Sequence, residues 1–448
     1  EEPDTWLKHG NPWETTYPTS VAVVQFGGRV IKPHGQKSSE YEWIDTEVVL
    51  AMPHDMPIVG YRNGTVNSLR LWSAHPSEEF NLKEFNSGDY FNAVQSKNTA
   101  ESISKVLYPN DNNYEGKALR FKQQYFFVSA SVQDIIRRYK KLHTDFHDLP
   151  AKVAIQLNDT HPALTILELM RILIDSEGLS FEEAWEITQR TCAYTNHTLL
   201  PEALEKWSIE FFEQFLPRHL MILFEINRVF LRDVALKFKG DEEMIRGMSL
   251  FQEHPEKQVR MAYLSIVGSH SVNGVAELHS DLLKKDLLKD FADLYPERFN
   301  NKTNGVTPRR WLYQCNPGLS ELISDYIGSK WVRDLDTLQE LEPYAKDRVF
   351  LDRFEEVKLQ NKRILADYIE RHHGFEVDPY SLFDVHIKRM HEYKRQLLNI
   401  LHFVILYQRL KTNPDALPVP VTGIFSGKAA PGYFMAKLVI KLINAVGE

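Results

Sequence analysis

Apolar positions first come in short alternating runs, V-A-V-V-Q-F-G-G-R-V and W-I-D-T-E-V-V-L-A-M, separated by Gly and Asn turns. This pattern predicts strands across the first 150 or so residues, closed by a helix that contains D-I-I-R-R-Y-K-K-L. From Lys152 the period changes. An apolar run, V-A-I-Q-L, leads into N-D-T-H-P, and A-L-T-I-L-E-L-M-R-I-L-I then recurs with helical spacing, which predicts a β-turn-α unit. Long helical patterns continue to about Gly240, and a further apolar segment, Y-L-S-I-V-G-S-H-S-V-N-G-V-A-E-L-H, spans 263–279. The polar stretch F-N-N-K-T-N-G-V-T-P-R-R-W, at 299–311, breaks the pattern with Asn, Gly and Pro and predicts a domain boundary, giving domains 1–303 and 304–448.

Beyond the boundary, helices rich in Leu, Glu and Lys lead to the apolar strand S-L-F-D-V-H-I, then a basic run, then the helix L-L-N-I-L-H-F-V-I-L-Y-Q-R-L. The order repeats at once as V-P-V-T-G-I-F, S-G-K-A-A-P-G-Y and F-M-A-K-L-V-I-K-L-I-N-A-V. Two consecutive β-α units predict a doubly wound parallel sheet. Both polar runs then fall at the carboxyl edge of that sheet, where such folds bind ligands.

At 448 residues, 43% hydrophobic and 25% charged, the composition is that of a globular protein with room for two or three domains. Acidic residues outnumber basic ones 61 to 53, so a general basic footprint for nucleic acid is missing and any cation cluster is local. Cys192 and Cys315 have no spacing that suits zinc or a disulfide framework, which favours a reducing compartment and gives no metal site. With no signal-like start and no apolar run near about 18 residues, the expectation is a cytoplasmic protein off the membrane, or a plastid one if a transit peptide was removed.

Against that acidic background, V-H-I-K-R-M-H-E-Y-K-R-Q at 385–396 stands out. A strand-to-helix junction already exposes unpaired N–H groups, and Lys388, Arg389 and Lys394 there make a phosphate pocket. If the helix begins near Met390, Lys394 comes about one turn after its start and Arg389 lies just before it, so two anions can be gripped by different residues. A solvated, charged helix start is the competing account. The second junction supplies Gly427, Lys428 and Gly432, and fits neither a Walker loop nor a G-x-G-x-x-G turn. In N-D-T-H-P, Asp159 or Thr160 can cap a helix with Pro162 in its first turn, which leaves His161 unexplained. Y-T-N-H-T-L-L-P-E-A-L-E-K-W (194–207) also reads as a helix start, with Pro201 and Glu202 in the first turn. Its Asn196, His197 and Thr198 offer the density of donors and acceptors that a sugar needs. Asn304 before Gly305 is either a turn residue or a further polar ligand.

Taken together, R-L-W-S-A (70–74), L-Y-P-N-D-N (107–112), Q-L-N-D-T-H-P, A-Y-T-N-H-T-L-L-P-E-A-L-E-K-W, S-H-S-V-N-G-V-A, N-K-T-N-G-V-T-P-R-R-W, H-I-K-R-M-H-E-Y-K-R-Q-L-L-N and G-K-A-A-P-G-Y-F-M-A-K strongly resemble the α-glucan phosphorylases in order and across essentially the whole chain. The resemblance implies an α/β, two-domain glycosyltransferase-B-like fold with doubly wound parallel sheets, the second domain truncated. It also implies pyridoxal phosphate as cofactor and an active site in the cleft between the domains. The implied reaction is phosphorolysis of a terminal α-1,4-linked glucose by inorganic phosphate, giving glucose 1-phosphate with retention, with the cofactor 5′-phosphate passing a proton through the substrate phosphate. A glycosidase would instead need two flanking carboxylates.

By the same resemblance, Arg389 and Lys394 would share the two phosphates and Lys388 would lie on the cofactor side. His197 and Asn304 would bind the glucosyl 6-hydroxyl, Asn112 and Tyr393 would approach the 2-hydroxyl, and Thr198 would join the sugar site. Asp159 and His161 would line the floor, and Trp311 would pack near the cofactor. Arg137 and Arg138 match a pair that binds nucleotide phosphate in regulated members, although adjacent helical arginines are also ordinary surface charge. The segment 251–258 falls where some members hold a second glucan site. Glycogen, starch or maltodextrin as substrate and a homodimer are further implications. The family's cofactor lysine segment, E-A-S-G-T-G-N-M-K-like, has no match before Glu448, so an internal fragment without turnover of its own is expected. The alternatives are a non-catalytic glucan- or phosphate-binding relative, a sugar-nucleotide glycosyltransferase of the same fold, and an RNA-binding basic helix that the acidic total disfavours.

Overall fold

Two strands, β1 (Thr15–Thr16) and β2 (Ala22–Phe26), pair with the same edge of the long strand β3 (Glu47–Val59), and β4 (Val66–Pro76) runs antiparallel along its other edge. The computed structural model describes residues 10–32, 41–77, 86–89, 92–107, 109–200, 204–430 and 432–448. Alternation explains the sheet: Val24, Phe26, Val49, Ala51, Trp72 and Ala74 point inward, whereas Val23, Leu69 and Leu71 stay exposed on the other face. The chain divides into two units, 1–304 and 305–448.

In the first unit the inner face of that sheet meets the helix α1 (Tyr114–Tyr139), whose amide ends are capped by the Asn113 side chain accepting from Gly116 N–H. The β-turn-α unit follows as β5 (Ile155–Asn158) and α2 (Leu164–Arg171). Strands β6 (Cys192–Thr195), β7 (Ser271–Gly274) and β8 (Phe299–Asn301) complete a four-stranded parallel sheet in the order β8-β7-β6-β5. Helix α2 is buried from Leu164 to Met170 because α1 and a further helix, α3 (Pro217–Lys237), pack against it.

That burial includes a carboxylate. Glu168 accepts from Ser129 Oγ at 2.7 Å, Tyr125 Oη at 3.1 Å, Arg171 Nε and Nη2 at 2.8 and 2.9 Å, and His219 Nε2 at 2.7 Å. Burial by itself would raise its pKa, but Arg171 and these hydrogen bonds hold it well below the usual carboxylate range. Burial pushes the His219 pKa down as well, toward the neutral ring that donates one hydrogen to Glu168.

In the second unit a long helix, α4 (Arg348–His373), ends on Gly374 in the left-handed conformation, as a glycine stop allows. Two β-α units follow: β9 (Leu382–Ile387) with α5 (Gln396–Thr412), and β10 (Val421–Ser426) with α6 (Phe434–Gly447). The two strands are parallel and in register from Leu382 opposite Val421 to Ile387 opposite Ser426. A mixed α/β architecture with parallel sheets, as the glycosyltransferase-B-like resemblance implies, is therefore present.

Three local expectations are corrected. The helix after N-D-T-H-P starts at Leu164 behind Ala163, with no side-chain cap; Pro162 precedes it, and neither Asp159 nor Thr160 caps it. Asp159 instead takes a left-handed φ of 67°, stabilised by Thr160 N–H donating to its own carboxylate at 2.8 Å. Pro201 and Glu202 lie outside the described residues, but Lys206–Ser208 is a short strand and the helix begins at Ile209, capped by Ser208 accepting from Glu210 N–H. The helix expected near Met390 begins at Gln396, because Arg395 takes a left-handed φ of 63° and delays it.

Candidate functional site

The four parallel strands of the first unit deliver their carboxyl ends to one edge, and polar residues gather there. Asn158 ends β5, His197 follows β6, and their side chains meet at 2.6 Å between Nε2 and Oδ1. Asn196 is fully buried and organises this turn: its N–H donates to Asn273 C=O, its Oδ1 accepts from Thr198 N–H at 3.0 Å, and its Nδ2 donates to Tyr194 Oη. Asp159 N–H donates to Thr195 C=O at 3.0 Å, locking the β5 turn to the end of β6. Thus Asp159, His161, His197 and Thr198 are carried on neighbouring strand ends, with His197 and His161 exposed.

After β7, Val275 N–H donates to His279 Nδ1 at 3.0 Å, so the neutral ring carries its hydrogen on Nε2. Burial pushes the His279 pKa down, and His197 adds to that while the Thr198 main chain opposes it. His279 therefore belongs beside His197 and Thr198, a residue that sequence reasoning missed; its only signal is its place one turn into the helix after a strand end. Asn304 is exposed, and its N–H donates to Val275 C=O at 3.0 Å in the same group of loops.

A second missed residue is Glu205. Its carboxylate accepts from Gln124 Nε2 at 2.7 Å and from Thr160 Oγ1 at 3.3 Å, and faces Arg120 at 3.6 Å. Arg120 also pairs with Asp111, beside the exposed Asn112. One ion-pair chain thus joins the 109–113 loop to the Thr160 turn.

Arg137 and Arg138 are exposed on α1, but Arg137 is paired with Asp134 on its own helix, and Asp134 also pairs with Arg70 at 2.9 Å. The 251–258 segment is an antiparallel ribbon, Phe251 and Gln252 opposite Val259 and Gln258.

In the second unit the anion motif occupies the turn between β9 and α5, not a helix. Lys388 and Arg389 are exposed, Met390 is buried beneath them, and Lys394 is half-buried at the end of the short 3-10 turn Glu392–Lys394. The turn is stitched to the loop after β10: Lys388 N–H donates to Ser426 C=O at 3.1 Å and Met390 N–H to Lys428 C=O at 3.0 Å. Gln396 Nε2 donates to Arg389 C=O at 3.0 Å from the first residue of α5. Close approach needs Gly427, since a Cβ there would lie 2.2 Å from Lys388 O.

The electrostatics of this turn are one-sided. Among the described residues no carboxylate lies within the 4.0 Å ion-pair distance of Lys388, Arg389 or Lys394. The one acid in the turn, Glu392, is taken up by Tyr433, whose hydroxyl donates to Oε2 at 2.8 Å and accepts from Glu392 N–H at 3.3 Å. The His391 ring packs against Tyr393 and Tyr433, with centroids 5.4 and 5.5 Å away. Burial, then Lys394, then Arg389 push its pKa down, and burial followed by Lys388 does the same for His386. Cations that lack a carboxylate partner leave local positive charge that favours an anion there.

Tyr393 is exposed next to Lys394, with the ammonium 5.6 Å from its ring, and Trp311 is exposed on Arg309–Gln314. A Gly427→Ala substitution is expected to force the two loops apart and destabilise the second unit by about 1–3 kcal/mol. Denaturant unfolding of that unit checks it, and an unchanged midpoint contradicts the close-packing account.

The sequence profile of the carbohydrate phosphorylase family matches residues 1–448. Glycogen phosphorylase, muscle form, of Oryctolagus cuniculus is 54% identical over 456 residues, covering 100% of this chain and 54% of its own length. The liver form of Ovis aries is 54% identical, covering 100% of this chain and 53% of its own length. The muscle form of Homo sapiens is 53% identical, with coverage of 100% and 54%. The chain spans about half the length of the curated relatives it matches.

Proposed function

This chain belongs to the carbohydrate phosphorylase family, and from that premise we propose that the protein carrying it performs phosphorolysis of an α-1,4-glucan, releasing glucose 1-phosphate from the non-reducing end with retention. The observation that carries the reading is the 388–394 turn, with three cations that no carboxylate among the described residues neutralises and an acid withdrawn onto Tyr433. Such a turn suits one or more phosphates, and it supports neither a carboxylate-pair hydrolase nor a metal enzyme.

In this proposal the first unit recognises the sugar. His197 and Asn304 hold the 6-hydroxyl, Asn112 approaches the 2-hydroxyl, Thr198 adds a polar contact, and Asp159 and His161 form the floor. The turn of the second unit holds phosphate, through Arg389 and Lys394, and Tyr393 contributes to the 2-hydroxyl. Each hydroxyl with its own partner gives selectivity, because an epimer leaves a polar group unpaired.

The donor set also fits pyridoxal phosphate. Lys388 and Lys394, which pair with no carboxylate among the described residues, would hold its phosphate, and Trp311 would pack beside the ring. When bound, that group supplies a second phosphate able to hand a proton to the substrate phosphate. Arg389 and Lys394 bring the substrate phosphate in, hold its charge and offset the repulsion between the two phosphates. Burial, then Lys394 and Arg389, push the His391 pKa down, which disfavours a further positive charge in the turn.

Glycogen-like α-glucan and inorganic phosphate are the proposed substrates, and a homodimer in the cytoplasm is the proposed state; the mammalian relatives favour this over a plastid. No helix of the described residues is long and apolar enough to cross a membrane. In the natural polypeptide that carries this sequence, His197→Ala is expected to lower kcat/KM for glucan about tenfold to a hundredfold by removing a hydroxyl partner. Steady-state rates with glycogen and phosphate test it. Full activity in the variant contradicts the sugar assignment, and glucan binding without any product favours the non-catalytic alternative.

A further inference from the structure

On the outer face of the antiparallel sheet, Glu14, His54, Ser73 and His75 form a continuous hydrogen-bonded relay. Its geometry follows from the strand register. His54 lies on the central strand β3, opposite Thr16 of β1 on one edge and Leu71 of β4 on the other. Its Nδ1 therefore reaches the β1 side, 2.7 Å from Glu14 Oε1 and 3.3 Å from Thr16 Oγ1. Its Nε2 reaches the β4 side, where Ser73, the diagonal neighbour two residues past Leu71, presents Oγ at 2.7 Å. His75 Nε2 approaches the same Oγ from beyond, at 2.9 Å.

With the His54 ring neutral, the chemistry of the partners orders these contacts. A carboxylate only accepts, so His54 carries its hydrogen on Nδ1 and donates it to Glu14. The neutral ring then offers a lone pair at Nε2, into which the Ser73 hydroxyl donates. Ser73 Oγ in turn accepts from His75 Nε2–H. A hydroxyl whose proton already points at an imidazole oriented by a carboxylate has the arrangement of an activated nucleophile. The side chains of His54 and Glu14 are 22% and 35% exposed, so the relay is held in place yet reachable from solvent. Leu69 and Leu71, both exposed on this face, give an apolar margin for a short acyl group.

We propose that Ser73 is a modification site, a serine nucleophile activated by His54 and Glu14 that takes an acyl group from an activated ester. In the step, Ser73 Oγ forms a bond to the ester carbonyl carbon and its proton passes to His54 Nε2. The bond from that carbon to the leaving oxygen breaks, and the leaving group departs with the electron pair as an alkoxide or phenolate. His54 then returns its proton to solvent. Next to Ser73, the Ala74 N–H is already taken up by Ser104 Oγ, to which it donates at 2.9 Å, so it is not part of an oxyanion pair for the hydroxyl. Stoichiometric acylation rather than turnover is therefore expected.

The test is reaction of the folded chain with 4-nitrophenyl acetate, following 4-nitrophenolate release and locating the acetyl group by tandem mass spectrometry. Ser73 is expected to be acetylated ahead of the other serines. His54→Gln is expected to slow the labelling about a hundredfold or more, Glu14→Gln to slow it less, and Ser73→Ala to abolish it. All three lie on the solvent face, and an unchanged thermal midpoint excludes a folding effect. Labelling of Ser73 no faster than other serines, full labelling in His54→Gln, or an acetyl group found on His54 itself overturns the proposal.

Discussion

In the natural polypeptide that carries this sequence, the proposed phosphorolysis predicts that Arg389→Gln lowers phosphate-dependent formation of glucose 1-phosphate by about a hundredfold to a thousandfold, the cost of removing one oriented donor from developing charge. The expectation follows from the bareness of the turn. Because Glu392 is held by Tyr433 and no other acid pairs with the cations among the described residues, their charge remains available for an incoming anion. Glutamine keeps most of the side-chain length and loses both the charge and the forked donor pair, which lysine does not reproduce either. Initial rates over a range of phosphate concentrations separate the two contributions: lost phosphate affinity raises KM, and lost support of the reacting phosphate lowers kcat. Rates within threefold of the parent would remove Arg389 from the proposed machinery. Fold controls are straightforward, since Arg389 is exposed and its contribution to the turn is a main-chain carbonyl accepting from Gln396.

The largest stability effect is expected at the centre of the first unit, from Glu168→Ala. The carboxylate neutralises Arg171, whose side chain is 13% exposed, and anchors His219, which has no exposure at all. Removing it strands a buried guanidinium and leaves Ser129, Tyr125 and His219 donors without their acceptor, a loss of about 3–5 kcal/mol. Urea unfolding with circular dichroism checks this, and a change under about 1 kcal/mol would contradict the buried-charge account.

The same group sets the response to acid. Glu168 binds a proton less readily when folded than at its ordinary value of 4.5, so the unfolded chain takes up more protons as pH falls below that value and stability declines. His219, pushed below its ordinary 6.5 by burial, acts in the same direction over the range just below that value. Stability is therefore present at neutral pH and lost progressively on acidification.

Much of this architecture was legible because parallel strands read as unbroken apolar runs that end in polar turns. V-A-I-Q-L before N-D-T-H-P and the two β-α repeats after Leu382 are of that kind, and β5, β9 and β10 appear in those places. Helix starts were less legible. Met390 looks like the first apolar residue of a helix, yet it is buried under the turn, and the left-handed Arg395 holds the helix off until Gln396. Similarly, N-D-T-H-P contains every residue of a good cap, but Asp159 spends its carboxylate on its own neighbour's N–H.

Candidate site residues were legible only where polar groups crowd in sequence. His197 and Thr198 announce themselves by density, and Lys388, Arg389 and Lys394 by contrast with an acidic chain. His279, Glu205 and the Glu392–Tyr433 pair were not, because each gains its meaning from a partner 41 to 81 residues away or from a strand end reached by a crossover. Glu168 was hidden for the opposite reason: inside A-L-T-I-L-E-L-M-R it reads as the polar stripe of an amphipathic helix, whereas that helix is buried on every side.

The proposal of phosphorolysis turns on one assay. The natural polypeptide carrying this sequence is incubated with glycogen, with and without inorganic phosphate, and the products are resolved by phosphorus and proton magnetic resonance. α-Glucose 1-phosphate that forms only when phosphate is present is the predicted result. Free glucose released without phosphate would contradict it, as would a β-linked product.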